Sequence, residues 1–163
     1  ENGIPGKNLT EQRMRAVIQR VKQASVKVGG EEISRIGEGL CCLVGVETGD
    51  GERDVDYIAR KICGLRVFDD EQGVMNLDVG QIKGEILLIS QFTLLGDTRR
   101  GKRPSYFTAE QPDRASELFE DTVKLVSALH DGKVATGRFQ AAMEVSIVNN
   151  GPVTILMDSR KIF

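Results

Sequence analysis

Ser90, Gln91 and Thr93 stand in the run ILLISQFTLLGDTRRGKRPS, Ile86 to Ser105, where an apolar stretch gives way to two hydroxyls and an amide. Polar groups that follow ILLI must find partners or lose roughly 1–3 kcal/mol to desolvation. Either they cap the strand end by bonding neighbouring backbone, or they line a site whose ligand supplies the partners. Read as one strand from Ile86 to Leu95, the segment puts Ser90 and Phe92 on one face and Gln91 and Thr93 on the other. On chemistry alone Thr93 is the natural nucleophile. Just beyond it, Arg99, Arg100, Lys102 and Arg103 set four cations close together on a chain whose formal charge is −2. Such a loop is either a solvated charged turn or a phosphate-binding loop, since arginine forks and lysine point charges suit phosphate oxygens. A third unusual stretch is NNGPVT, Asn149 to Thr154. Its Gly151-Pro152 is either a plain tight bend or a cis linkage, which at X-Pro costs only about 0.5–1 kcal/mol. A cis bond would turn the local carbonyls in an unusual direction, with no side chain at Gly151 to screen them.

No conventional general base accompanies these groups. The one histidine, His130, ends a helical pattern in LHDG, where a ring nitrogen would answer terminal carbonyls or the helix dipole. No G-x-S-x-G elbow presents a serine to it, and neither a P-loop nor a G-x-G-x-x-G after a strand offers a phosphate cradle. A single histidine and three cysteines without ligand spacing argue against zinc hydrolysis, so no metal and no cofactor is expected. Cys41, Cys42 and Cys63 read as small buried hydrophobes, and their odd count suits a reducing, cytoplasmic setting. No apolar run reaches the about 18 residues of a membrane-spanning helix. The slight net acidity confines any anionic partner to a local patch.

The elements that must position these residues follow from periodicity. MRAVIQRV (14–21) and ASVKV (24–28) read as strands, with Gly29-Gly30 turning the chain into EEISRIG. GLCCLVGV (39–46) is a strand covered on both faces. Val55, Ile58, Ala59, Ile62 and Cys63 fall at helical spacing, with Gly64 as a stop. A short strand at RVF and a turn at DDEQG precede the Ile86 strand. From Pro112 to His130 a second helix puts Ala115, Leu118, Phe119, Val123, Val126 and Leu129 on one side, ending by Gly132. The tail alternates through Met143, Val145 and Ile147, bends at Gly151-Pro152, and alternates again. The expected fold is an α+β domain over residues 14–163, a largely antiparallel β-sheet or barrel flanked by two amphipathic helices. Residues 1–13 are expected to be a tag or disordered extension, with Met14 as the natural start.

Four stretches together, MRAVIQRVKQASV, SQFTL, GDTRRGKRPSY and GRFQAAMEVSIVNNGPVTI, resemble the D-aminoacyl-tRNA deacylases over essentially all of residues 14–163. The pairing of SQFTL with NNGPVT is the most specific part. The resemblance implies a homodimeric esterase whose partner is the aminoacylated 3′ end of tRNA, with no membrane association. Its products would be a free D-amino acid and tRNA, and glycyl-tRNA mischarged on tRNA-Ala would be a further substrate. Gly151-Pro152 would be a cis motif inserted into the other subunit's pocket, crowding the space an L side chain needs, with Arg20 holding its carbonyl orientation. Catalysis would be assisted by the substrate's own vicinal 2′-hydroxyl, with backbone N–H groups near Phe92 and Thr93 as the oxyanion site. Thr93 then becomes a positioning residue, while Ser90, Gln91, Phe139 and Met143 line the adenosine and aminoacyl pocket. Arg99, Arg100, Lys102 and Arg103 would meet tRNA phosphates. This chain departs from the pattern of many relatives at Tyr106, where they have phenylalanine, and at Gln140, where they have glycine.

Three other readings make distinct predictions. A non-catalytic nucleic-acid binder using residues 99–103 would show salt-dependent binding and no ester cleavage. A related enzyme with a trans Gly-Pro would tolerate L-Ala. A generic small-ester hydrolase would cleave esters that lack a vicinal hydroxyl.

Overall fold

The computed structural model describes residues 13–163, so the expected N-terminal extension lies, for residues 1–12, outside the described residues. The chain runs β1 (Arg15–Val28), β2 (Glu31–Ile36), β3 (Gly39–Gly45), α1 (Glu52–Gly64), β4 (Phe68–Asp69), β5 (Met75–Leu77), β6 (Glu85–Ser90), a 3-10 turn (Phe92–Leu95), α2 (Pro112–Leu129), β7 (Val134–Thr136) and β8 (Met143–Asp158).

β1 is one strand where the sequence suggested two. Its Arg15–Val21 half pairs antiparallel with β3, its Ala24–Val28 half with β2, and β8 runs antiparallel along its other edge. Register shifts in the β1–β8 ladder fall between Gln19 and Val21 and between Val21 and Gln23. The second explains the apparent break at Lys22-Gln23. Strict alternation would return Ala24 and Val26 to the face of Ala16 and Ile18, but the bulge reverses the parity and they join Val21 instead. The hairpin to β2 turns through Gly29 and Gly30, at φ 57° and 81°, as a tight turn of this hand requires.

The expected sheet flanked by two helices is present, with β1 paired antiparallel to β2, β3 and β8, and it holds two parallel pairings besides. β3 pairs parallel with β6, and β6 parallel with β7, giving the order β2-β1-β3-β6-β7 with β8 on β1. Each parallel pair needs a crossover, and the two helices supply them: α1 between β3 and β6, α2 between β6 and β7. Both helices therefore pack on one face, and the sheet curls into a near barrel on the other. Leu40, Cys42, Val44, Ile86 and Leu88 meet Ile58, Ile62, Leu118 and Val126 on the helical side. Cys41, Leu87 and Ile89 alternate to the opposite side, against Val21, Val26 and Ile36. Buried side chains of this size contribute about 1.5–3 kcal/mol each, which makes β3 and β6 the rigid floor from which the site projects.

Candidate functional site

β6 carries the SQFT segment to the carboxyl end of the parallel strands and stops there. The Gln91 N–H donates to the Val44 carbonyl at 2.8 Å, the chain then turns through Phe92–Leu95, and Leu94 N–H closes back on the Gln91 carbonyl at 3.3 Å. Gly45 makes room for this turn, because a Cβ there would lie 2.6 Å from Leu95 Cδ2 and 2.9 Å from the Gln91 carbonyl oxygen. The single strand expected over Ile86–Leu95 is thus corrected. A 3-10 turn rotates the chain about 120° per residue, so the two-face division of these side chains does not apply. The first N–H groups of such a turn, those of Phe92 and Thr93, have no partner within it.

The polar strand end splits between the two fates open to it. Gln91 Nε2 donates to Thr93 Oγ1, so these two side chains answer each other locally. The Ser90 hydroxyl has no hydrogen-bond partner among the described residues and borders a cavity of about 520 Å³. That cavity brings together Ser90, Phe92, Phe139 and Met143, four of the residues picked from sequence, whereas Gln91 and Thr93 lie outside its lining. The Met143 sulfur accepts the Arg138 N–H at 3.4 Å, which sets the thioether under the Phe139 segment. Gln140 has φ 61°, in the left-handed region that favours glycine, which accounts for the glycine expected at that position.

The remaining walls were not anticipated. Tyr106 packs edge-on to Phe92, ring centres 5.1 Å apart and planes at 69°. Glu110, Gln111, Pro112 and Ala115, where α2 begins, close another side. The Glu110 N–H donates to the Val46 carbonyl at 3.0 Å, so the start of α2 is tied to the end of β3. Pro112 at the helix start was the one visible signal for this wall. Glu110 is the single carboxylate of the lining among the described residues, and its Oε1 accepts the Gln111 N–H at 2.7 Å. His130 is elsewhere. It is buried and hydrogen-bonds through Nε2 to the Gly84 carbonyl at 2.8 Å, so it braces the loop before β6 rather than its own helix end. Burial pushes the Cys41 thiol up to about 12 and the Cys63 thiol to about 11, and raises that of Cys42 well above the ordinary value. These thiols are neutral and poor nucleophiles.

Beneath that wall, Glu47, Asp50 and Asp54 are buried before and within the first turn of α1. Asp50 Oδ2 accepts the Glu47 N–H at 2.7 Å and Asp54 Oδ2 the Gly51 N–H at 2.9 Å. Burial, reinforced by the neighbouring carboxylates, lifts Asp50 to about 7 and raises Glu47 in the same direction.

Gly151-Pro152 is a cis peptide within β8. Asn149 is opposite Val21 and Thr154 opposite Gln19, so residues 150–153 bulge out across the single residue Arg20. Arg20 is the anchor of this bulge. Its Nε donates to the Asn150 carbonyl at 2.9 Å, its Nη1 to the Val67 carbonyl at 2.7 Å, and the guanidinium, 11% exposed, lies 3.6 Å from Asp69. Asn149, not singled out by sequence, pins the neck: its Oδ1 accepts the Val153 N–H at 3.0 Å and its Nδ2 donates to Thr154 Oγ1 at 3.1 Å. Gly151 and Pro152 are exposed and do not line the cavity of their own chain.

The basic residues occupy a loop closed by reciprocal backbone bonds between Asp97 and Ser105, at 2.7 and 2.9 Å. Arg99 grips the Asp97 carboxylate through Nε at 2.9 Å and Nη2 at 2.6 Å, holding that carboxyl well below the usual range. Arg100, Lys102 and Arg103 are exposed and form no ion pair among the described residues.

The model of the family described as D-Tyr-tRNA(Tyr) deacylase matches residues 17–158. A D-aminoacyl-tRNA deacylase of Natranaerobius thermophilus is 53% identical over 150 residues, covering 92% of this chain and all of the relative. One from Desulfitobacterium hafniense is 54% identical over 152 residues with the same coverage. Among solved structures, a c-Myc DNA unwinding element binding protein superposes with a TM-score of 0.84 at 39% identity, over 88% of this chain and 97% of its own. A probable eukaryotic D-amino acid tRNA deacylase gives 0.76 at 14% identity, over 90% and 99%, and supports the fold alone.

Proposed function

This chain belongs to the D-Tyr-tRNA(Tyr) deacylase family, and on that premise we propose that it is a carboxylic ester hydrolase that removes D-amino acids from tRNA. The observation that carries this reading is the cavity at the end of β6. Among the described residues it holds a serine hydroxyl with no partner, three aromatic rings and a thioether beside the free N–H groups of a 3-10 turn, with no histidine or cysteine in its lining. Such a site binds and orients an acylated adenosine but offers little to activate a nucleophile. The substrate's vicinal 2′-hydroxyl fills the gap. Water adds to the ester carbonyl carbon, the N–H groups of Phe92 and Thr93 stabilise the oxyanion, and the 2′-hydroxyl relays a proton from the attacking water to the departing ribose oxygen. The carbon–oxygen ester bond breaks to leave the free amino acid and tRNA.

Stereoselectivity is assigned to the Asn150–Val153 bulge. In a homodimer, Gly151 and Pro152 of one subunit would enter the cavity of the other and occupy the space of an L side chain, while a D side chain or the single hydrogen of glycine is accommodated. Supporting this arrangement, β8 pairs only with β1 among the described strands and exposes Val148 and Leu156. Glycyl-tRNA mischarged on tRNA-Ala is then a substrate too. Protonated buried thiols suit the reducing cytoplasm, where charged tRNA is found.

The test is hydrolysis of D-Tyr-tRNA against L-Tyr-tRNA by purified protein, with sedimentation to establish the dimer. D-specific cleavage by a dimer is expected. Equal cleavage of both enantiomers, or full activity in a monomer, would overturn the cross-subunit mechanism. Salt-dependent binding without any cleavage would favour a nucleic-acid-binding role, as the name of the DNA unwinding element binding protein describes for that protein.

A further inference from the structure

A second cavity of about 600 Å³ lies across the wall from the first. The two share a partition. Tyr106 and Phe92 face the first cavity, while Ser105 and Phe107, on either side of Tyr106, and Leu95, the last residue of the 3-10 turn, face the second. Among the described residues, Arg13, Arg15 and Arg99 line it with Phe107, and Asp97 is the one carboxylate. The guanidiniums are held in place. Arg15 Nε sits 3.2 Å from the fully buried Asp158 and its Nη1 donates to the Leu94 carbonyl at 3.2 Å, Arg13 lies 3.5 Å from Glu47, and Arg99 is forked onto Asp97. Each guanidinium carries five N–H donors, so these contacts leave others for a ligand. Phe107 is 93% exposed, so its ring is open to a stacking ligand.

Fixed guanidiniums around an open aromatic face are the chemistry that single-stranded nucleic acid calls for, with phosphates on the cations and a base stacked on the ring. Resting on the proposed activity, which places the terminal adenosine in the first cavity, we infer that the second cavity is a subsite for the preceding nucleotide of the tRNA 3′ end. Phe107 stacks its base, and Arg15 and Arg99 hold the phosphate that joins the two nucleosides. The shared wall at Tyr106 separates the two bases. The enzyme thus recognises the unpaired end of its substrate as a dinucleotide, and the Arg100–Arg103 segment is left to meet the backbone further along.

The experiment compares wild type, Phe107→Ala and Phe107→Tyr on D-Tyr-tRNA and on the 3′-ester of D-tyrosine with adenosine, which ends where the first cavity ends. Loss of one stacked base corresponds to about 5- to 150-fold in binding. Phe107→Ala is expected to raise KM for the tRNA ester by that factor, to leave kcat/KM for the adenosine ester unchanged, and to leave the melting temperature unchanged because the ring is solvated. Phe107→Tyr keeps a stacking face and should retain wild-type KM. Equal losses on both esters, or none on either, would overturn the subsite. Calorimetric titration with cytidylyl-adenosine and with adenosine alone reads the subsite without catalysis. Wild type should bind the dinucleotide more tightly and Phe107→Ala should erase the difference. That difference surviving in Phe107→Ala overturns the subsite, whereas failure of every ester to react, with Phe107-dependent dinucleotide binding intact, would instead remove the deacylase reading.

Discussion

Arg20→Lys separates the stability of the Gly151-Pro152 bulge from its job. In the wild type one guanidinium serves two carbonyls on different segments, Asn150 in β8 and Val67 before β4, and lies beside Asp69. Hydrogen bonds from a charged donor contribute about 1.5–3 kcal/mol each. A lysine ammonium is a compact point donor and cannot span both carbonyls as the planar fork does, so it retains one bond. The expected loss is one such bond, about 1.5–3 kcal/mol, from a total that for domains of this kind is about 5–15 kcal/mol. The protein should therefore fold. If the lost bond is the one to Asn150, the bulge keeps its Asn149 neck but loses the clamp on the carbonyl before Gly151. Discrimination between enantiomers should then fall at least about tenfold, the equivalent of about 1.4 kcal/mol. Urea unfolding gives the first number, and kcat/KM on D-Tyr-tRNA and L-Tyr-tRNA gives the second. A variant destabilised as expected whose D-to-L ratio matched wild type would refute the assignment of selectivity to the anchored bulge.

Thr93→Ala should slow D-Tyr-tRNA turnover by about tenfold or less, since the hydroxyl holds Gln91 and lies outside the cavity lining; total loss, with an acyl-enzyme trapped by acid quench in the wild type, would make Thr93 a nucleophile. Glu110→Gln should leave the rate within a few-fold, whereas a drop of about 10²-fold or more would install this carboxylate as the missing base. The Asp50 carboxyl, near 7 when folded against an ordinary 3.8, binds its proton more tightly in the folded chain than in the unfolded one. Stability contributed by this site is therefore greatest at low pH and falls as pH rises from about 4 through 7, by at most about 4 kcal/mol at 1.36 kcal/mol per unit. Asp50→Asn keeps an oxygen for the Glu47 N–H and should flatten that decline. Urea midpoints at pH 5 and pH 8 check it, and a wild type no less stable at pH 8 than at pH 5 would refute it.

The elements legible from sequence were those with enough residues to average over. α1 and α2 carry three or more turns of regular apolar spacing, and β3 is a continuous apolar run because both its faces are covered. The parallel pairings of β3, β6 and β7 were missed although the strand–helix–strand order that demands them was present. β7 spans three residues, too few for alternation to register, and without it the second crossover cannot be seen. Likewise Phe92–Leu95 reads as strand because four residues of FTLL suit either state, and the deciding fact is the missing side chain at Gly45 in another strand.

The candidate site was partly legible for a physical reason. A buried strand that ends in polar side chains poses a problem of satisfaction, and a ligand is one of its few solutions. That logic found Ser90, but could not see that Gln91 and Thr93 would satisfy one another, nor that Glu110 and Gln111 would arrive from the start of α2. The bulge poses the opposite problem. Folding alone would be better served by an unbroken ladder than by an exposed Gly-Pro held out by a half-buried asparagine and a guanidinium only 11% exposed. Both anchors come from the chain itself, yet nothing in that chain's cavity uses what they hold out. Rigidity without a local use argues for use on another surface, and β8, unpaired along one edge among the described strands, is where a second copy would bring that surface.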